Sequence, residues 1–260
     1  MDKGIVVVTG IKEEIPTLAL RAAQLGYETI ALPTIRLEKR ALSARALSAI
    51  KKIDSYDYVI FTSAHAASFF AELLKELRLR KPSSIRIVAV GSATASACRS
   101  IGFKPHSIAK EFNARAMISG IRDLKGRRIL FPRSLIGSLE PIRLLRSKGA
   151  LVTVIPLYTS IPLVISLAAR ALIFEKDIAA IVFMSPSSLT GFAKNLNKTI
   201  LRRPMLTALC IGPTTGRAAY ASGFRNIAIA QPSTTAGIIK ALRQRTLRAW
   251  LRTVPPPYAS

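Results

Sequence analysis

Short runs of aliphatic and β-branched residues alternate with amphipathic helical stretches along most of the chain. The strand-like runs of the first half are Ile5–Thr9, Thr29–Leu32, Tyr58–Thr62, Arg86–Val90 and His106–Ile108. Those of the second half are Arg128–Phe131, Leu151–Ile155, Ala180–Met184, Thr207–Ile211 and Asn226–Ala230. Helical spacing of apolar positions is read over Pro16–Leu25, Ala64–Leu79, Ala93–Ile101, Leu139–Lys148, Ser187–Leu196 and Thr214–Ala221. Strand-length apolar runs separated by helices predict βαβ units, hence parallel sheets covered on both faces. With about five such units in each half, the expected fold class is α/β, built from two flavodoxin-like doubly wound sheets. Two Pro-punctuated stretches break the alternation, Leu32–Leu37 and Ile155–Pro162. Proline holds its predecessor in extended backbone, so both are predicted linkers.

The pattern also repeats. Phe61-Thr62-Ser63 returns as Phe183-Met184-Ser185, and Val90-Gly91-Ser92-Ala93-Thr94 returns as Ile211-Gly212-Pro213-Thr214-Thr215. Upstream, Leu25-Gly26-Tyr27 and Pro33 correspond to Lys148-Gly149-Ala150 and Pro156. Blocks in one order at nearly one spacing indicate an internal duplication, and 260 residues suit two domains of ordinary size.

Composition changes the picture in three places. The 39 Lys and Arg outweigh 14 Asp and Glu, a formal charge of +25, and no acid occurs from Ile178 to Ser260. Such a field attracts polyanions, whether nucleic acid, anionic lipid or a polycarboxylate. Aromatic residues make up only 7%, and no nucleic-acid reading motif is present, so nucleic acid is the least expected partner. No apolar run approaches the roughly 18 residues of a membrane span, since Ile161–Phe174 is broken by Arg170. No membrane partner is therefore expected, and a cytoplasmic location is, with Cys98 and Cys210 as buried, reduced thiols. The tail from Arg243 to Arg252 reads as a basic helix end, stopped by Pro255-Pro256-Pro257.

In open α/β sheets ligands bind beyond the carboxyl ends of the strands. The repeated motifs fall there. Ser63 and Ser185 follow strands and precede helices, while Gly91 and Gly212 open strand–glycine–helix turns. First-turn N–H groups at such ends are unpaired donors that favour anions, and a hydroxyl from Thr94 or Thr215 can add to them. The same residues serve equally as ordinary helix caps. No phosphate-binding glycine loop, metal cluster or Cys/His nucleophile pair is present, and neither His65 nor His106 has an evident carboxylate partner. Catalysis on this chain is expected to work through positioning and electrostatics, with a Tyr, Ser or Thr donor.

At Phe61-Thr62-Ser63, Ala89–Thr94, Phe131-Pro132-Arg133, Ile155-Pro156-Leu157-Tyr158, Ser185-Pro186-Ser187 and Ile211–Thr215 the chain resembles the uroporphyrinogen-III synthase family, from about Val6 to Leu242. The resemblance implies residues 1–33 with 163–260 in one domain, 40–149 in the other, and linker strands over 34–39 and 150–162. It implies a cofactor-free, metal-free lyase of porphyrin (heme) biosynthesis, acting on linear hydroxymethylbilane. This substrate loses water and closes to a macrocycle with its last ring inverted. Its eight carboxylates suit helix N-termini and a positive field. Tyr158 is the implied proton donor to the departing hydroxyl. Ser63, Thr94, Arg133, Ser185, Ser187, Thr214 and Thr215 are the implied substrate-binding residues. The family's first strand usually ends in Thr-Arg, where Thr9-Gly10 stands here, and His65 replaces a common Asn. A monomer is expected, with transient contact to a neighbouring pathway enzyme. A non-catalytic tetrapyrrole- or anion-binding regulator is the alternative reading.

Overall fold

The computed structural model describes residues 3–80, 85–109, 117–118, 121, 123–176, 178–196, 201 and 206–244; the basic tail beyond Gln244 lies outside them. In chain order the first elements are β1 (Ile5–Gly10), α1 (Ile15–Ala23), β2 (Glu28–Pro33), β3 (Ile35–Lys39), α2 (Ala44–Lys51), β4 (Tyr58–Phe61), α3 (Ala64–Glu76), β5 (Arg86–Val90), α4 (Ser92–Ser100) and β6 (Pro105–Ala109). They continue with β7 (Arg128–Ser134), α5 (Glu140–Ser147), β8 (Leu151–Pro162), α6 (Leu167–Glu175), β9 (Ile178–Phe183), α7 (Pro186–Ala193), β10 (Thr207–Cys210), α8 (Pro213–Ser222), β11 (Asn226–Ile229) and α9 (Thr235–Arg243).

The chain divides into two compact units, Met1–Leu37 with Ser160–Ser260, and Glu38–Thr159. The first holds a five-stranded sheet in the order β11-β10-β9-β1-β2, and its paired strands run parallel. The second sheet has the order β3-β8-β7-β4-β5-β6, with β4 to β8 parallel. Strand by strand, β9, β10, β11, β1 and β2 occupy the places of β4, β5, β6, β7 and β8. The sequence repeat is therefore a repeat of whole sheets. The first two strands of the chain complete the sheet that its last three strands begin.

The central strands are mostly apolar because they are covered on both faces. In β1, Ile5 and Val7 join one core with Ile181, Phe183 and Phe192, while Val6 and Val8 join another with Leu18, Val182 and Ile238. The second sheet packs Tyr58, Ile60, Val88 and Phe131 on one face. On the other, Phe61 meets Phe70 edge-on at 5.6 Å and stacks with Phe103 at 6.0 Å. Cys98 and Cys210 are buried and free, and burial pushes their thiols up to about 11 and about 12.

Helix α7 anchors the chain where it leaves and re-enters the first unit. The Thr34 hydroxyl donates to the Ser188 carbonyl at 3.0 Å, and the Leu163 N–H donates to the Thr34 carbonyl at 2.9 Å. Asn195, just past the helix, donates to the Leu163 and Gly191 carbonyls at 2.8 Å and accepts from the Ile165 N–H at 2.8 Å. Gly191 permits this approach, since a Cβ there would stand 2.2 Å from the Thr34 carbonyl oxygen.

Three helices escaped the periodicity reading. α2 and α9 are short helices that begin at Ser43 and Thr234 caps. α6 lies almost wholly within the apolar run Ile161–Phe174, where the sequence offers little polar contrast to mark a helical period, although only Ile173 of the helix is buried. The Pro-rich segments form full strands: β3 takes the sheet edge, and β8 continues for 12 residues through Pro156.

Gly191→Ala is expected to cost about 1–3 kcal/mol in urea unfolding, through overpacking against Thr34 and Ile35. Asp57 ties the starts of β4 and β7, accepting from the Arg128 N–H at 2.8 Å and from Arg127 at 3.1 Å. The Arg128 hydrogen bond, ahead of the opposing burial, and then Arg127 hold its carboxyl below the ordinary 3.8. A depressed folded pKa stabilises above the unfolded value and loses its effect as pH falls through the folded one. The stability gap between the wild type and Asp57→Asn should therefore be constant at neutral pH and close in acid below the ordinary carboxylate range, as read from urea midpoints against pH.

Candidate functional site

In the unit Glu38–Thr159 the candidate residues gather at the carboxyl ends of β4, β7 and β8. Ser63 follows β4 directly and caps α3, its Oγ accepting from the Ala66 N–H at 3.1 Å. That Oγ also lies 3.0 Å from the Tyr158 hydroxyl. Tyr158 arrives there through an irregularity in β8. Arg133 pairs with Pro156 but Ser134 pairs with Tyr158, leaving Leu157 as an extra residue. A bulge of this kind re-aims the following side chain. The Tyr158 ring then stacks on Phe69, with centroids 4.8 Å apart and planes 16° apart, and the His65 ring lies 6.3 Å away.

Arg133 is buried beside this phenol, and its guanidinium donates to the Gly137 carbonyl. Burial draws the Arg133 pKa below its ordinary value, and the nearby Tyr158 charge partly restores it. A phenolate and a guanidinium here stabilise one another. Ser134 Oγ is buried without a hydrogen-bond partner, so a donor remains unused beside Tyr158 and Arg133. The loop that follows exposes Leu135, Ile136 and Leu139.

The unit formed by Met1–Leu37 and Ser160–Ser260 presents its own turns at the ends of β9, β10 and β11. Ser185 caps α7 in a reciprocal box, accepting from the Ser188 N–H at 3.1 Å while Ser188 Oγ accepts from the Ser185 N–H at 3.2 Å. Ser187 is half-buried on the first turn. Thr214 is exposed, with Arg217 within 3.4 Å of its hydroxyl. Ser233 closes in on Gly212, whose added Cβ would stand 3.0 Å from Ser233 Oγ.

The matching turns share one property. α4 and α8 are capped by Gly91 and Gly212, and neither has a side-chain cap, whereas α3, α7 and α9 are capped by hydroxyls. Their first-turn N–H groups are therefore left to water or a ligand. Thr94 and Thr215, at the third helical position of each, are only 3% and 2% exposed. Their side chains belong to the packing beneath the turn, and the backbone is what the turn presents. The structure thus brings Ser63, Tyr158 and Arg133 together and leaves Thr94 buried in its own helix.

Phe69, Ser134, Arg217 and Ser233 were not singled out from the sequence. Ser134 follows the Phe131-Pro132-Arg133 motif directly, and Ser233 precedes a Thr-capped helix; both signals were legible. Gly10, with φ of +145°, ends β1 where Arg133 stands in the matching β7, so the first unit lacks the corresponding guanidinium. Among the described residues no group of three or more His, Cys, Asp or Glu could hold a metal ion, and no helix is long and apolar enough to cross a membrane.

A family model described as uroporphyrinogen-III synthase HemD matches residues 17–240. The porphyrin biosynthesis protein HemD of Ruminiclostridium josui is 28% identical over 242 residues. That match takes in 91% of this chain and 47% of the relative, so the chain spans about half the relative's length. A mutant uroporphyrinogen III synthase from the extreme thermophile Thermus thermophilus superposes with a TM-score of 0.64 at 15% identity, covering 94% of this chain and 99% of that one. The Helicobacter pylori 26695 uroporphyrinogen-III synthetase gives 0.60 at 17% identity, covering 90% and 96%. At these identities the two structures establish a shared α/β fold.

Removing the Ser63 hydroxyl deletes both a helix cap and the Tyr158 partner, whereas Tyr158→Phe deletes only the second. Ser63→Ala should lower the unfolding free energy by about 1–2 kcal/mol and Tyr158→Phe by about 1 kcal/mol. In urea titrations the double variant should lose less than the sum; strict additivity would mean that the pair does not interact.

Proposed function

This chain belongs to the uroporphyrinogen-III synthase family, and from that membership we propose that it closes linear hydroxymethylbilane to uroporphyrinogen III, with loss of water and inversion of the last ring. The observation that carries the mechanism is the Tyr158 phenol, aimed by the bulge at Leu157, bonded to Ser63 and set beside buried Arg133. In this reading Tyr158 gives its proton to the departing hydroxyl as the carbon–oxygen bond breaks. The guanidinium of Arg133 stabilises the phenolate that remains, an electrostatic contribution made where charge develops. Ser63 and Phe69 act as positioning residues, fixing the hydroxyl and the ring plane. Loss of water with ring closure involves no net oxidation or reduction, so the reading is cofactor-free.

Carboxylates of the substrate are assigned to the uncapped N–H groups of α4 and α8 and to the turns at Ser185, Ser187 and Thr214. Thr94 and Thr215 support those turns from below. A substrate with eight carboxylates has partners to spare for the turns of either unit. Leu135, Ile136 and Leu139 offer apolar surface to a pyrrole face. We read each unit as flavodoxin-like and β3 with β8 as the linker strands. The reading is supported by the strand orders and by the unit boundaries, which fall inside those two strands.

The deciding experiment supplies purified protein with hydroxymethylbilane and separates the oxidised porphyrin isomers. Type III should predominate with the wild type. Tyr158→Phe should lower the rate of type III formation about a hundredfold or more, with type I accumulating in its place. Type I alone from the wild type overturns the proposal, and tight tetrapyrrole binding without turnover would mark a binding protein instead.

A further inference from the structure

We propose that the unit Glu38–Thr159 carries a second anion site, independent of the cyclase reading: an arginine-lined groove that takes a small polyanion with at least two oxyanion groups. A cavity of about 380 Å³ is walled by Arg40, Ser43, Arg45 and Arg146, together with Val152 and Thr153 of β8. A neighbouring cavity of about 480 Å³ shares Arg146, Val152 and Thr153 and adds Tyr56 and Arg128. Four guanidiniums thus line two neighbouring cavities that share Arg146, Val152 and Thr153, and no carboxylate is among the residues that form them. Ser63, Thr94, Arg133 and Tyr158 line neither cavity.

Two guanidiniums are held in place, and a third is unusually sited. Arg146 donates to the Val152 carbonyl at 3.1 Å. Arg128 lies over the Tyr56 ring at 5.2 Å, and the Tyr56 hydroxyl donates to Thr153 Oγ1 at 3.1 Å, fixing that ring. Arg45 sits in the first turn of α2, where the helix dipole disfavours a cation and where no acidic residue offsets it. Ser43 accepts from the Ala46 N–H, leaving the N–H groups of Ala44 and Arg45 without intrahelical partners. A bound oxyanion satisfies those donors, offsets the dipole conflict at Arg45 and engages guanidinium forks in the geometry they favour.

Phosphate and carboxylate share this chemistry, so the test uses one probe of each. Pyrophosphate and citrate are titrated into the full chain at fixed low salt, with binding followed by calorimetry. One site is expected, weakened about tenfold or more in Arg40→Gln/Arg45→Gln and less than about twofold in Arg99→Gln/Arg225→Gln. The second pair removes the same charge from positions elsewhere on the chain. Tighter pyrophosphate binding assigns the site to a phosphate ligand and tighter citrate binding to a carboxylate one. Equal losses in both double variants overturn the proposal, since the binding would then belong to the diffuse field of a +25 chain. Nitrogen-15 shifts of the wild-type arginine side chains give an answer without substitution: Arg40, Arg45 and Arg146 should move together, and their failure to move overturns it.

Discussion

The pairing of β1 with β9 is the constraint on which the rest of the architecture depends. These strands come from opposite ends of the chain, yet β1 is the strand that joins β2 to β9, β10 and β11. All six of its residues are buried. Helix α1 covers part of one face through Leu18 and Ala22, but Phe183 and Phe192 reach the other face only when the chain has returned, so the unit Glu38–Thr159 is an insertion in an otherwise incomplete sheet. The hydrogen bonds of Thr34, Leu163 and Asn195 around α7 fasten both crossings to the same helix. That helix also begins with the Ser185 capping box, so one element serves the connection and presents a candidate ligand turn.

Duplication explains the common strand order of the two units, and divergence between the copies sets the candidate site of one apart from the other. Both copies keep a glycine-capped helix after the second strand of the repeat, with a buried Thr at its third position. Only the unit Glu38–Thr159 carries an arginine near the end of the strand matching β1, and only there does a bulged strand carry a tyrosine against a capping serine. The matching position in the other unit is Gly10. The two copies therefore share the same glycine-capped turns, but a guanidinium–phenol pair has been assembled in one of them.

Burial sorts the candidate residues into different kinds of work. An exposed hydroxyl such as Thr214 can meet a ligand directly, whereas Thr94 and Thr215 lie under their turns. Arg133 costs desolvation, and the Gly137 carbonyl and the neighbouring phenol offset part of it. The separate arginine groove follows the opposite logic: Arg45 stands in the open at a helix start with no acid in its first turn. Net charge alone could not distinguish these situations, because a sum over residues carries no geometry.

What the amino-acid sequence determined by itself was the local and the periodic. Ten strands were legible as short apolar or β-branched runs, most clearly in the central strands that are buried on both faces. The turns at Ser63, Gly91, Ser185 and Gly212 were legible because capping and tight approach select those residues. Helices α2 and α9 were not read although they are as long as others that were, and α6 lies in an apolar run without a polar face to set the period. Tertiary structure alone decided that β1 closes with β9 and that one extra residue at Leu157 turns Tyr158 toward Ser63 and Phe69. It also decided that Thr94 and Thr215 face inward, and that Arg40, Arg45, Arg128 and Arg146 line two neighbouring cavities. Strand order, bulges and side-chain exposure arise from contacts between residues far apart in the chain, and no local pattern encodes which distant partner will be met.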